Sequence, residues 1–305
     1  MIRLIASDMD GTLLNNRSEI TFTTVAAINA VQRTGIRFLI NTGREYSSAC
    51  SDLKHKKIYC DMICSSGAAT YDQLGNSYNL HPIPKSVAAQ ILTTFFNFGV
   101  YADVYTNQGR AFIGNKAKLF RYYDQGVFPS SRKENKLYYR NMDEFFQMVK
   151  ETKIYESIDT LLADEVSIFK ISTTHMNPQL ITRLRRQMKQ ISGLSIASTS
   201  DTTLEISDEK AQKGYALLQY AKIYNIAPNE ILVLGDSEND LSMLTLSGVH
   251  SIAMGNAKEE IKEGCAYITR TNEDNGVAYI LERLLKDKNP SFVRNTLQNP
   301  QASYI

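Results

Sequence analysis

Cysteine is scarce in this chain: Cys50, Cys60, Cys64 and Cys265 are four among 305 residues, too few and too irregularly spaced for a disulfide framework. They read as reduced thiols, and Cys60 with Cys64 has no second Cys or His pair nearby to complete a metal site. Glycine (16) and proline (7) are not abundant, which beside 43% hydrophobic and 22% charged residues excludes collagen-like and disordered chains. Neither sign of charge dominates: 34 Lys and Arg stand against 32 Asp and Glu, a net charge of +2. Bulk electrostatics therefore point to neither nucleic acid nor an anionic membrane. No apolar run approaches the roughly 18 residues of a membrane span. The stretch Met1-Ile2-Arg3-Leu4-Ile5-Ala6-Ser7-Asp8 turns acidic too early for a secretory leader. These absences predict a cytoplasmic globular protein with no nucleic-acid or membrane partner, and the expected assembly is a monomer or weak homodimer.

What is present reads as two domains, since 305 residues at about 150 per domain can bury one good core and a smaller second one. Ile2–Ala6, Ile36–Ile40, Asp61–Cys64, Ile231–Gly235, His250–Met254 and Ala266–Thr269 are short apolar runs of the kind buried on both faces of a parallel sheet. Between them lie amphipathic stretches: 22–34 before Gly35, a face of Leu217, Tyr220, Ala221 and Tyr224, a short helix with Leu241 and Leu244 closed by Gly248, and a last helix lined by Val277, Ile280, Leu281, Leu284 and Leu285. That alternation predicts an α/β, doubly wound, Rossmann-like core. From Pro82 and Pro84 the rhythm changes: helices at 86–98, about 143–150 and 178–191, a strand Val166–Thr173, and hairpins around Gln108-Gly109 and between Leu194–Ser198 and Thr203–Ser207. The predicted organisation is a discontinuous core, 1–83 with 209–288, an inserted α+β domain at 84–208, and a polar tail, 289–305, without assigned structure. In the insert, Asn115–Arg140 carries Lys116, Lys118, Arg121, Arg132, Lys133, Lys136 and Arg140 against Asp124 and Glu134. It reads as a solvated cationic face, with steering of a phosphorylated metabolite as the alternative. Tyr101 and Tyr105 read as core of the insert rather than as a ring-stacking platform.

The chemistry-bearing residues fall at strand ends. Asp8-Met9-Asp10-Gly11-Thr12 follows the first strand, at the edge where open α/β sheets bind ligands. Residues i and i+2 of an extended chain share a side, so two carboxylates can converge on one hard cation. Gly235-Asp236-Ser237-Glu238-Asn239-Asp240 repeats the pattern at a second strand end. Parallel strands bring the two clusters to one edge, and acids crowded there repel unless a divalent cation sits among them. Oxygen ligands without His or Cys favour Mg²⁺ over zinc. A plain helix cap at Asp236 accounts for one acid but not for the coincidence of two strand ends. Thr42-Gly43 adds a hydroxyl and a backbone N–H, and Lys213-Gly214 an ammonium at a helix start, which together suit a phosphoryl group. A carboxylate can attack phosphorus and form an aspartyl phosphate, and a second acid can protonate the leaving oxygen and then activate water. Asp8 and Asp10 have the spacing for this, and spacing leaves open which does which.

With Asp8-Met9-Asp10-Gly11-Thr12-Leu13-Leu14, Asn41-Thr42-Gly43-Arg44, Lys213-Gly214, Gly235–Asp240, Ala253-Met254-Gly255-Asn256-Ala257 and Asn275-Gly276-Val277-Ala278, the chain resembles the haloacid dehalogenase superfamily of phosphohydrolases, specifically Cof-type members with a C2B cap, over about residues 1–285. The resemblance implies a Mg²⁺-dependent phosphatase of small phosphorylated metabolites, such as sugar phosphates. Asp8 would be nucleophile and Asp10 general acid/base, with Thr42 and Lys213 on the phosphoryl group and Met9 and Gly43 beside it. Mg²⁺ would take the Asp8 carboxylate, the Asp10 carbonyl and Asp236, with Asp240 in the outer shell and Asn239 near the phosphate. Arg44 would contact substrate or pair with an acid. The insert would be the cap that closes over the site and selects substrate. One departure stands out: the family's Asn-Gly-Ala after the third strand is here Ser65-Ser66-Gly67-Ala68, so Ser66 replaces an amide. A phosphomutase shares the first steps. A phosphoacceptor switch also gathers acids, Thr and Lys at strand ends, but requires neither an insert of this size nor an acid two residues on.

Overall fold

Runs that are apolar at every position need cover on both faces, and here they form the interior of a sheet. The computed structural model describes residues 1–131, 139, 141–198 and 200–286. In chain order its strands are Leu4–Ser7 (β1), Arg37–Asn41 (β2), Asp61–Cys64 (β3), Ala69–Tyr71 (β4), Ser77–Tyr78 (β5), Asp103–Thr106 (β6), Gly109–Ile113 (β7), Lys153–Tyr155 (β8), Ile168–Thr174 (β9), Leu194–Ala197 (β10), Thr203–Asp208 (β11), Ile231–Gly235 (β12), His250–Ala253 (β13) and Tyr267–Ile268 (β14). They divide between two compact units, Met1–Asn79 with the chain from Lys213 onward, and Leu80–Gln212.

The first unit holds an eight-stranded sheet ordered β14-β13-β12-β1-β2-β3-β4-β5. The six strands from β14 to β3 are parallel, with Leu4 opposite both Ile231 and Arg37. Alternation along β1 sends Ile5 into one apolar cluster and Leu4 and Ala6 into another. The first cluster is covered by helices Phe22–Arg33 and Gly276–Lys286, through Ala27, Ile28, Val31, Val277, Ile280 and Leu281. The second is covered by helix Lys213–Ile223, through Leu217, Tyr220 and Ala221. Gly35, at φ +87°, turns the chain after the first helix as its sequence predicts. Leu285 departs from its predicted face and is exposed.

Two features of this unit lay beyond the sequence pattern. β4 and β5 add an antiparallel edge, turned by Asp72, whose Oδ1 accepts from Leu74 N–H at 2.9 Å and Asn76 N–H at 2.8 Å. Helix Tyr46–His55 follows β2, and its Tyr46 ring stacks on Tyr71 of β4 with centroids 4.2 Å apart.

The second unit is a six-stranded sheet ordered β10-β11-β9-β6-β7-β8, antiparallel except between β7 and β8. Helices Lys85–Asn97 and Pro178–Met188 bury Ile91, Leu92, Phe95, Ile181 and Leu184 against Val104, Ala111, Ile171 and Ile206. An aromatic cluster of Phe112, Tyr122, Tyr123, Phe128 and Phe145 forms a further core. Tyr101 packs there, 5.7 Å from the Phe112 ring, whereas Tyr105 corrects its predicted core place: Lys170 Nζ lies 4.5 Å and the Arg110 guanidinium 5.2 Å from its ring centroid. The unit begins and ends outside the predicted 84–208, because Ile83 N–H donates to Ile168 O at 2.7 Å and Glu209 N–H to Gly193 O at 2.9 Å. Lys116, Lys118 and Arg121 are exposed on helix Lys116–Tyr122. Arg132, Lys133, Glu134, Lys136 and Arg140, like the tail 289–305, lie outside the described residues. Among the described residues, no helix is long and apolar enough to cross a membrane. All four cysteines are free and buried.

Candidate active site

Because β1, β2 and β12 are parallel neighbours, their carboxyl ends meet on one edge, and the polar residues that follow them converge there. Asp8 leaves β1 with its N–H still donating to Leu234 O at 3.0 Å, so the sheet fixes its backbone. Lys213, at the start of its helix, is wholly buried and places Nζ 2.6 Å from Asp8 Oδ1 and 2.6 Å from Asp240 Oδ1. The other Asp240 oxygen accepts from Asp236 N–H at 3.0 Å and Ser237 N–H at 3.1 Å. Asp240 is thus engaged on both oxygens by protein donors. Asp236 Oδ1 accepts from the Thr12 hydroxyl at 2.9 Å, a partner the sequence motif contained without marking its role. Gly11 is required here: its φ is +76°, and a Cβ would lie 2.3 Å from Asp236 Oδ2.

Oxygens of Asp8, Asp236 and Asp240 lie within 4.8 Å of one another. Three carboxylates share one ammonium. Burial opposes the Lys213 charge, but Asp240 and Asp8 more than reverse this and raise its pKa above the usual lysine range. The shortfall of positive charge falls on the acids. Burial, then the Asp240 charge, pushes Asp8 well above the usual carboxylate range, and the same two causes push Asp236 up to about 7. A hard, all-oxygen donor set short of positive charge fits a divalent metal ion.

Thr42 is buried at the end of β2, its N–H on Ile63 O at 2.9 Å, its hydroxyl accepting from Arg44 N–H at 3.2 Å, with Gly43 in the turn between them. Met9 is buried in the apolar core, so a ligand could meet only its backbone. Asn239 is half-buried and accepts from the Ser237 hydroxyl at 2.8 Å. Asp10 has its side chain 58% exposed and gripped by Arg44, whose Nε and Nη2 lie 2.7 and 2.5 Å from its two oxygens. Arg44 also reaches Asp52 Oδ2 at 2.7 Å, so of its two predicted roles the structure displays pairing with acids. Ser65 and Ser66 turn left-handed in succession, at φ 50° and 60°, and the Ser66 N–H donates to Thr42 O at 3.0 Å. Sequence reasoning missed Asp52, and it named Asn41 and Asn256 within their motifs without giving either a role; the Asn256 amide donates to Gly11 O at 2.8 Å.

The chain matches the family described as haloacid dehalogenase-like hydrolase over residues 5–281. It is 30% identical over 292 residues to Phosphatase YwpJ of Bacillus subtilis (strain 168), covering 93% of this chain and 100% of that protein. It is also 30% identical over 290 residues to the 5-amino-6-(5-phospho-D-ribitylamino)uracil phosphatase YwtE of the same organism, covering 93% and 98%. The solved structure of a haloacid dehalogenase-like hydrolase from B. subtilis superposes with a TM-score of 0.80 at 29% identity, covering 93% of this chain and 100% of that one. With the family matched across nearly its whole length and phosphatases at this identity, the chain belongs to the haloacid dehalogenase superfamily, among its Cof-type phosphatases.

Proposed function

We propose that the protein is a Mg²⁺-dependent phosphatase that hydrolyses small phosphorylated metabolites, sugar phosphates or related phosphomonoesters, through an aspartyl phosphate on Asp8. One observation carries the reading: a strand-end carboxylate, Asp8, is held 2.6 Å from a wholly buried lysine, beside a second strand-end acid, Asp236. The Asp8 carboxylate attacks phosphorus, the bond from phosphorus to the leaving oxygen breaks, and Asp10 delivers a proton to that oxygen. Asp10, now a carboxylate, takes a proton from water as the water oxygen attacks phosphorus. The Asp8–phosphorus bond then breaks, freeing inorganic phosphate and restoring both acids. Thr42 and Lys213 hold the equatorial oxygens, with the Met9 and Gly43 backbone and Asn239 beside them. Asp8, Asp236 and the Asp10 carbonyl would hold Mg²⁺, while Asp240, already engaged on both oxygens, orients its neighbours from the outer shell. When bound, the ion neutralises charge on the phosphoryl oxygens.

The inserted unit is the substrate-selecting cap in this reading, and the YwtE name makes a ribityl phosphate one member of the panel to test. Four buried free thiols support a cytoplasmic setting. The test is a panel of phosphorylated metabolites with Mg²⁺, ranked by kcat/KM. Asp8→Asn is expected to abolish phosphate release and EDTA to do so reversibly. Full activity in either condition would overturn the mechanism, and isomer formation in place of free phosphate would favour a mutase.

A further inference from the structure

Asn41 is the last residue of β2, immediately before Thr42, and is completely buried. Its Nδ2 donates to Lys213 O at 3.0 Å and touches Met243 Sδ at 3.5 Å. Its Oδ1 is buried without a hydrogen-bond partner. The amide cannot be turned to cure this, because the flip would set Oδ1 against the Lys213 carbonyl. An orphaned buried acceptor offsets much of what the Nδ2 bond contributes, so an apolar side chain of the same shape would hold strand and helix together equally well. What it could not do is fix the first turn of the helix.

Other contacts gather around the same turn. Gly214 N–H donates to the Ser242 hydroxyl at 3.1 Å, and a Cβ at Gly214 would lie 1.9 Å from Ser242 O. The Ser65–Gly67 turn packs on the same helix and ties back to Thr42 through the Ser66 N–H. Asn41 thus joins the β2 end that presents Thr42 to the helix end that presents Lys213.

We infer that Asn41 is a positioning residue that sets the Lys213 ammonium between Asp8 and Asp240. The inference rests on the proposed role of Lys213 in holding the phosphoryl group. Asn41→Leu keeps the branched shape and the number of heavy atoms, removes the donor and removes the orphaned acceptor. Its Tm is expected to stay level or rise while kcat falls by about 10- to 100-fold, the scale of a sub-ångström to one-ångström misplacement, with a smaller change in KM. In a Lys213→Ala background the same change is expected to add nothing, because its effect runs through the ammonium. Crystal structures of both forms supply a readout independent of turnover: Lys213 Nζ is expected to leave at least one of its carboxylate contacts. A kcat/KM within about twofold of wild type, an equal fold-loss in both backgrounds, or an unmoved ammonium would overturn the inference. If Lys213→Ala itself retains full activity, the role assigned to Lys213 fails, and the displacement in the crystal alone decides whether Asn41 positions it.

Discussion

Replacing Asp240 with asparagine tests whether this carboxylate builds the site rather than reacts in it. Oδ1 faces the Lys213 ammonium at 2.6 Å, and Oδ2 faces two backbone N–H groups at 3.0 and 3.1 Å. An amide has one acceptor oxygen, so in either orientation its NH₂ meets a donor. Keeping the oxygen on the two N–H groups sacrifices one bond to a charged group, and the reverse sacrifices two bonds, so the first orientation prevails. That lost bond is worth about 1.5–3 kcal/mol, in a place where neither side chain reaches solvent. Against it stands relief of the repulsion that Asp240 exerts on Asp8 and Asp236. Attraction wins below about pH 7, where Asp236 holds its proton and no longer repels Asp240, while the Lys213–Asp240 ion pair stands at 2.6 Å. A net loss of about 2 kcal/mol follows, or roughly 4–8 °C in Tm for a unit of this size. Differential scanning calorimetry in EDTA below about pH 7 would measure it. An unchanged or raised Tm would refute the picture of Asp240 as the brace between Lys213 and the Asp236 turn.

Asp10→Asn is expected to accumulate phosphoenzyme or stop turnover, read by acid-quench labelling with radiolabelled substrate; unchanged turnover would remove Asp10 from its role. Asp236 is raised from 3.8 to about 7, so in metal-free protein the folded state holds its proton more tightly than the unfolded chain. Its stabilising contribution is therefore complete below about pH 4 and lost as pH rises through about 7, whereas added Mg²⁺ is expected to raise Tm more at pH 8 than at pH 5. Calorimetry across pH, with and without Mg²⁺, checks both signs. Burial pushes the Cys60 thiol up to about 12 and Cys265 up to about 11, so a thiol reagent at pH 8 is expected to react slowly with native protein and rapidly with all four cysteines in denaturant. Rapid native labelling of Cys60 would contradict its burial.

The core was legible where a strand is short, almost wholly apolar and followed by an acid, as in Leu4–Asp8 and Ile231–Asp236. Such runs fit the interior of a parallel sheet covered on both faces, and the parallel sheet itself aligns their ends. Parity failed at Tyr105, because Tyr101, which shares its parity, lies before β6 begins and is free of the pleat. β4 and β5, three and two residues long, are too short to show a period. The finer site was not legible because it is made by side chains distant in sequence. The Asn41–Lys213 bond spans 172 positions, and Arg44 meets Asp52 from a helix whose apolar face gave no reason to look at its polar one.

The placement of β1 between β2 and β12 also dictates an order of events during synthesis. One edge of β1 can pair as soon as β2 has emerged, but the partner of the other edge begins at Ile231, beyond the whole inserted unit. At about 5–20 residues per second the nascent chain carries that unpaired edge for roughly 10–45 s. An open, apolar, central strand is the kind of surface that recruits wrong partners. The ribosome-bound intermediate, not the finished enzyme, is therefore the state in which this architecture is most exposed to aggregation. A chain interrupted before β12 would keep Asp8, Asp10 and Thr42 and still lack Asp236 and Asp240, leaving a fragment that holds the proposed nucleophile without the acids that complete its site.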